Sequence, residues 1–288
     1  MVVGRKPYVH GLLLAPALMA IGVVVFFPLL YSLYVSLTDF TLRNAGANLV
    51  GLRNYHALFT DLRFVASTVR TIAFVACSVT AEMLIGFGLA LLMHQLARGR
   101  GLFRAVVLVP WAIPTVVSGL TWRWMFNDRL GAVNAALKAA GLIHQPLAWL
   151  AGSATAWAAI IVAEVWKTAP FVALIILAGL QMVPSELYEA ATIDGAGRWR
   201  RFRHVTLPLL WPTLLLALLF RTIDALRVFD LIAVMTGGGP AGGTEVLSLY
   251  AHKVLFAHLD FGYGSALTFA LFLLVMGCSV AYARRAVR

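Results

Sequence analysis

With 288 residues, 61% of them hydrophobic and 12% charged, and a mean hydropathy of +0.87, the chain is too apolar for a soluble domain. In a soluble protein a net charge of +11 would point to nucleic acid; here the charges flank apolar runs, and no nucleic-acid partner is expected. Cys77 and Cys278 both lie inside apolar runs, which excludes a disulfide framework or a cysteine metal site and leaves them as packing residues.

Arg5 and Lys6 precede a first apolar run over about 11–37, too long for a signal peptide and sufficient for a transmembrane helix, with Pro16 and Pro28 expected to kink it. A polar loop through Asp39, Arg43, Arg53 and Asp61 leads to a second span over about 64–96, whose excess length predicts tilt, closed by Arg98, Arg100 and Arg104. The third span, about 103–126, is interrupted by Pro110 and Pro114 and ends in an aromatic belt of Trp122, Arg123 and Trp124. After a less apolar loop with Lys138, Gly141 and Pro146 comes a fourth span over about 155–183.

A polar segment, 185–208, separates this span from a fifth over about 205–229. The run from Thr236 to Gly243 is too rich in glycine to hold a helix, and no Lys-Ser or Lys-Thr follows to make it a phosphate-binding loop. A short interfacial helix is expected between Tyr250 and Asp260, then a sixth span over about 262–282, with Arg284, Arg285 and Arg288 at the end. The fold class is therefore all-α: a polytopic membrane protein with six transmembrane helices in a single domain, 1–288. The amino terminus, the second and fourth connections and the carboxyl terminus hold twelve of the 23 Lys and Arg, against six in the other three connections. By the positive-inside rule both termini and the 185–208 segment are expected in the cytoplasm.

That segment is helix-forming, with Ser185 as a candidate cap, Glu186 in the first turn and Leu187, Ala190, Ala191 and Ile193 as an apolar side. Gly195 supplies a left-handed stop, and Arg198, Arg200, Arg201 and Arg203 make a basic stretch ending at Pro208. Read as spacing, Glu189-Ala190-Ala191, three residues with Asp194 last, Gly195, nine residues and then Val205-x-Leu207-Pro208 resembles the EAA loop of permease subunits of binding-protein-dependent ABC importers, with Val205 in place of the usual isoleucine. The resemblance implies a coupling helix seated in a groove of a cytoplasmic ATPase, through Glu189, Ala190, Ala191, Asp194, Gly195 and Pro208.

Charged residues at membrane depth are the next signal, because each is costly in hydrocarbon unless paired or facing a polar cavity. Glu164 and Lys167 share a helix face and can pair, either as a packing device or on a substrate pathway; Trp166 beside them is a sugar-stacking candidate or a core residue. Arg221, Asp224 and Arg227, with Asp230 beyond, form a polar stripe that points to a water-filled cavity, while Glu82 stands alone and reads as a hydrogen-bonded structural residue. The histidines are dispersed and no Gly-x-Ser-x-Gly elbow is present, so neither a metal site nor a catalytic site is expected.

The runs Phe220–Asp230, Met235–Pro240 and Ala163–Pro170, with the 185–208 segment, are similar to the sugar-permease branch of these importers, the maltose and glycerol-3-phosphate type, and to actinobacterial trehalose permease subunits. The resemblance implies a chain in the plasma (inner) membrane of a prokaryote, surrounded by lipid, that binds no cofactor itself. Its implied partners are a second homologous permease subunit, two cytoplasmic ATPase subunits carrying ATP and Mg, and an extracytoplasmic substrate-binding protein. A disaccharide such as trehalose or maltose is the implied substrate, with glycerol-3-phosphate or a glycerophosphodiester as the alternative. A self-sufficient secondary transporter and a lipid-modifying membrane enzyme are the readings from other classes; the first lacks an evident inverted repeat and the second an acid/base or metal cluster.

Overall fold

The computed structural model describes residues 7–42, 47–96 and 99–286. Arg5, Lys6, Arg43, Arg98 and Arg288, which enter the charge count above, lie outside the described residues. The chain runs α1 (Pro7–Ile21), a π turn (Gly22–Phe26), α2 (Phe27–Ser36), α3 (Arg53–Thr60), α4 (Leu62–Gln95), α5 (Arg100–Ala112), α6 (Thr115–Met125) and α7 (Ala132–Ala139). It continues with α8 (Ser153–Gln181), α9 (Ser185–Ile193), α10 (Arg198–Arg201), a π turn (Phe202–Thr206) and α11 (Leu207–Leu226). The last elements are α12 (Asp230–Met235), α13 (Leu247–His252), a π turn (Lys253–Ala257) and α14 (Phe261–Ala286). Among the described residues no strand forms, only the isolated bridges Thr38–Leu49 and Thr41–Asp260.

Among the described residues five helical stretches are long and apolar enough to cross a membrane, and six if the pair α5–α6, bent by 89°, counts as one span. That bend falls at Ile113-Pro114, where the proline ring holds Ile113 out of the helical region, at φ −74° and ψ 132°. Pro28, expected to kink its helix, and Pro208, expected to end the basic stretch, both sit within continuous helical runs. Each follows a π turn by one residue, with Phe27 N–H bonded to Gly22 O and Leu207 N–H to Phe202 O. The widened turn gives the ring room and shifts the ladder where proline has no N–H to offer, so the helix continues through both. The basic stretch and the fifth span are consequently one helical run, Arg198–Leu226, rather than a loop followed by a span. That run ends at Leu226, short of the expected 229, and α12 starts separately at Asp230. Helices α3 and α7, too short to show in hydropathy, occupy stretches that the sequence reading leaves as loops.

Contacts divide the chain into two compact units: the described parts of Met1–Val65 with Ala251–Phe272, and those of Ala66–Tyr250 with Leu273–Arg288. In the first, Asn54 Nδ2 donates to Ser36 O and Thr38 O at 2.8 Å each, Tyr55 Oη meets Ser36 Oγ at 2.6 Å, and Tyr263 Oη donates to Asp61 Oδ2 at 2.6 Å. The two Asn54 bonds satisfy carbonyls where α2 ends.

The second unit is organised around α8, whose Ala156, Ala159, Ile160, Ala163, Val172, Ala173 and Ile176 are wholly buried. Small residues let its neighbours approach: a Cβ on Gly86 of α4 would lie 2.7 Å from Val172 Cβ, and one on Gly179 would lie 2.6 Å from Thr213 Oγ1 of α11. Gly179→Val is therefore expected to force α8 and α11 apart, at a cost of about 1–3 kcal/mol. The check is the thermal transition of the purified protein, which should fall while Gly88→Ala, a change made in open space, leaves it unmoved.

The glycine-rich run is packed rather than loose. Thr236 Oγ1 meets Thr244 Oγ1 at 2.7 Å, Thr244 Oγ1 donates to Gly239 O, and Trp157 Nε1 donates to Gly243 O at 3.0 Å. Its glycines carry the turn: Gly237, Gly238 and Gly242 all adopt positive φ.

Candidate functional site

Arg221, in the last two turns of α11, is only 3% exposed, so its charge must be answered by protein groups. Its Nε donates to Glu82 Oε2 on α4 at 2.6 Å and its Nη2 to Glu82 Oε1 at 3.1 Å. Nη2 also donates to Glu164 Oε1 on α8 at 2.9 Å, and Nη1 to Asp224 Oδ2 one turn along α11 at 2.6 Å. A planar guanidinium with its donors fixed in a fork serves three carboxylates at once, which an ammonium cannot do with this spread. One cation thus ties together α4, α8 and α11.

This arrangement corrects one reading of the sequence and supplies the partner that another lacked. Glu164 does not pair with Lys167; among the described residues Lys167 forms no ion pair. Glu82, without a partner in its own span, is fully buried and hydrogen-bonded to Arg221. The signal was present in principle, since a lone mid-span carboxylate needs a cation and few lie that deep. Spacing along the chain, with 139 residues between the two, could not choose which.

Beside the cluster lies a cavity of about 120 Å³ with a largely polar wall, lined by Thr115, Lys167, Asp224, Arg227 and Asp230 together with the edge of Glu164. Asp224 belongs to both features: its side chain is 62% exposed even as it accepts from Arg221. Of the residues singled out in the sequence, Lys167, Asp224, Arg227 and Asp230 meet here. Arg221 does not line the cavity but stands behind it, and Trp166 lies elsewhere. The Trp166 ring packs edge-on to Trp122, centroids 5.5 Å apart, along an apolar groove with Ile85, Leu89 and Val165. Its position on α8, one residue from Lys167, turns it by about 100° onto another face. Thr115, contributed by the bent α5–α6 pair, was missed because nothing in its neighbourhood marks it as polar wall.

The segment after α8 folds as a helix, stop and second helix. Ser185 is the first helical residue rather than the cap, which is Pro184, and no side chain caps this end. At the other end Gly195 takes φ +74°, with its N–H on Thr192 O and the Ala196 N–H on Ala191 O, a Schellman closure. Tyr188 Oη meets Thr206 Oγ1 at 3.0 Å, and Arg201 Nη1 donates to Thr192 Oγ1 at 2.9 Å, so one face of α9 is held against the following helix. Glu189, Ala190, Asp194 and Ile193 are exposed, Ala191 is half-buried, and Pro208 lies inside the first turn of α11.

A bundle of apolar spans that encloses a buried charge cluster and a polar cavity is a polytopic α-helical membrane protein. Residues 82–288 match the family described as binding-protein-dependent transport system inner membrane component, and the chain belongs to that family. It is 43% identical to the trehalose/maltose transport system permease protein MalF of Thermococcus litoralis, over 96% of this chain and 93% of that one. It is 40% identical to the sulfoquinovosyl glycerol transport system permease protein SmoG of Agrobacterium fabrum (95% and 88%) and 38% identical to the trehalose transport system permease protein SugA of Mycobacterium tuberculosis (93% and 83%). In fold it is similar to a chain of a bacterial ABC transporter involved in the import of the acidic polysaccharide alginate, with a TM-score of 0.84 at 20% identity over 99% of this chain and 96% of that one.

Proposed function

We propose that this chain is the permease subunit of an ATP-driven importer, forming with a second homologous permease subunit the pathway for a sugar delivered by an external binding protein. Two cytoplasmic ATPases, carrying ATP and Mg, would supply the energy, and both termini and α9 would face them. The observation that carries the reading is α9: a helix outside the spans, braced on one face by Tyr188 and Thr192, whose opposite face leaves Ile193 87% exposed beside Leu187 and Ala190. An apolar surface held rigidly in water is suited to a partner groove. Co-purification from native membrane tests the assembly; recovery of the chain without an ATPase or a second permease would count against it.

The names of the relatives favour a disaccharide of the trehalose or maltose kind. The cavity beside Arg221 supports a polyol pathway, because Lys167 and Arg227 offer donors, Asp224 and Asp230 offer acceptors, and Thr115 offers both. At about 120 Å³ it is smaller than ordinary small-molecule sites, so passage requires the spans to part, as alternating access demands. An anionic glycoside or glycerophosphodiester is the second reading, favoured by the two cations on that wall and by the relative named for sulfoquinovosyl glycerol. Binding titrations on the partner binding protein separate them: tight binding of trehalose or maltose supports the first, and tight binding of an anionic glycerol compound alone supports the second.

Water access to the cavity has its own check. In a background lacking Cys77 and Cys278, cysteines at Asp224 and Arg227 are expected to react with water-soluble thiol reagents. A cysteine at apolar Phe220, which does not line the cavity, is expected to stay protected. Uniform protection of all three would remove the pathway reading.

A further inference from the structure

A second cavity, of about 330 Å³, lies at the level where α4 and α8 end and α11 has not yet begun, and the pathway reading makes no use of it. Its apolar part is made by Leu91 and Leu180, from the last turns of their spans, and by Phe202 of the π turn. Its polar rim carries Arg198, Arg201 and His94, and among the described residues no carboxylate lines it. Among the described residues neither guanidinium forms an ion pair, although Arg201 is steadied by its bond to Thr192. Trp199, 71% exposed and stacked on Phe202 at 5.5 Å, and exposed Trp211 flank this level, as aromatic residues do at a membrane surface.

We infer that this cavity binds an anionic glycerophospholipid of the surrounding membrane, with its phosphate between Arg198 and Arg201 and the start of an acyl chain against Leu91, Leu180 and Phe202. The matching of two surfaces decides for a lipid. A free phosphate would satisfy the arginines and leave the apolar part wet, and a neutral lipid would fill the apolar part and leave two cations unanswered. Because Arg201 also holds Thr192, the lipid would brace the same inner face of α9 that Tyr188 braces.

The test uses the complex purified from native membrane in mild detergent. It is titrated with dioleoylphosphatidylglycerol or dioleoylphosphatidylcholine, and lipid retained on this subunit is read by native mass spectrometry. Wild-type protein is expected to prefer the phosphatidylglycerol by about tenfold or more, as two basic side chains near a headgroup allow. Arg198→Gln with Arg201→Gln should abolish that preference, while Arg200→Gln with Arg203→Gln, which alters exposed arginines outside the cavity, should keep it. Leu91→Trp should lower retention by filling the acyl slot with every charge in place, and so tests the site even where the arginine variant fails to assemble. Equal retention of both lipids, equal loss in the Arg200/Arg203 variant, undiminished retention in Leu91→Trp, or displacement by excess inorganic phosphate would each overturn the inference.

Discussion

Transport is expected to be lost in Gly195→Val and in Ala190→Trp, with the chain inserted in the membrane at normal abundance. Gly195 closes α9 at φ +74°, where a β-branched residue is strained by about 1–3 kcal/mol, and no neighbour within 4 Å of the new Cβ adds a clash. The effect is therefore confined to the stop: the Ala196–Ala191 and Gly195–Thr192 bonds loosen and α9 loses its direction. Ala190→Trp leaves the stop intact and places an indole on the exposed face proposed to enter the ATPase groove. Glu189→Ala is expected to do less, since an exposed charge at a rim contributes little unless paired. Membrane abundance, ATPase co-purification and substrate-stimulated ATP hydrolysis are the measurements. Wild-type stimulation in both severe variants would show that α9 is not the coupling element.

Arg221→Met is expected to be the most destabilising single change in the larger unit. It leaves Glu82 fully buried without its cation, and breaking a buried pair from one side costs about 3–5 kcal/mol. The carboxylates are not equivalent. Three of them face one guanidinium, so Glu164→Gln removes an excess negative charge while keeping an acceptor for Nη2, and is expected to cost less than about 1 kcal/mol. Glu82→Gln, which breaks the two-point contact with Nε and Nη2, should cost more than Glu164→Gln. Adding Glu82→Gln to Arg221→Met should recover part of the loss, because the stranded charge goes with its partner. Thermal transitions of the four purified variants give the order. A larger loss in Glu164→Gln than in Arg221→Met would mean that the cluster is not held by Arg221.

The hydropathy of the chain sufficed for its class and for the approximate place of the spans, because about 20 consecutive apolar residues have few other physical uses. It also sufficed for the stop at Gly195, a local matter of one residue's backbone freedom. The pairing of charges was a different problem. Glu164 and Lys167 are neighbours on one helix, and the sequence offers that pair first; the bundle instead turns Glu164 toward Arg221, 57 residues away, and brings Glu82 to the same guanidinium from a third helix. Likewise Trp166 and Lys167 are adjacent in the chain and face different surfaces, one an apolar groove and one a polar cavity. Pro28 reads as a kink and Pro208 as the end of the basic stretch until the π turns before them appear. Periodicity states which residues share a face of one helix, and local preference states where a backbone can turn. Which face of which helix meets another is set by close packing of side chains from distant parts of the chain, at contacts such as Gly86 on Val172 and Gly179 on Thr213, and for that reason only the tertiary structure decided the charge cluster and the cavity beside it.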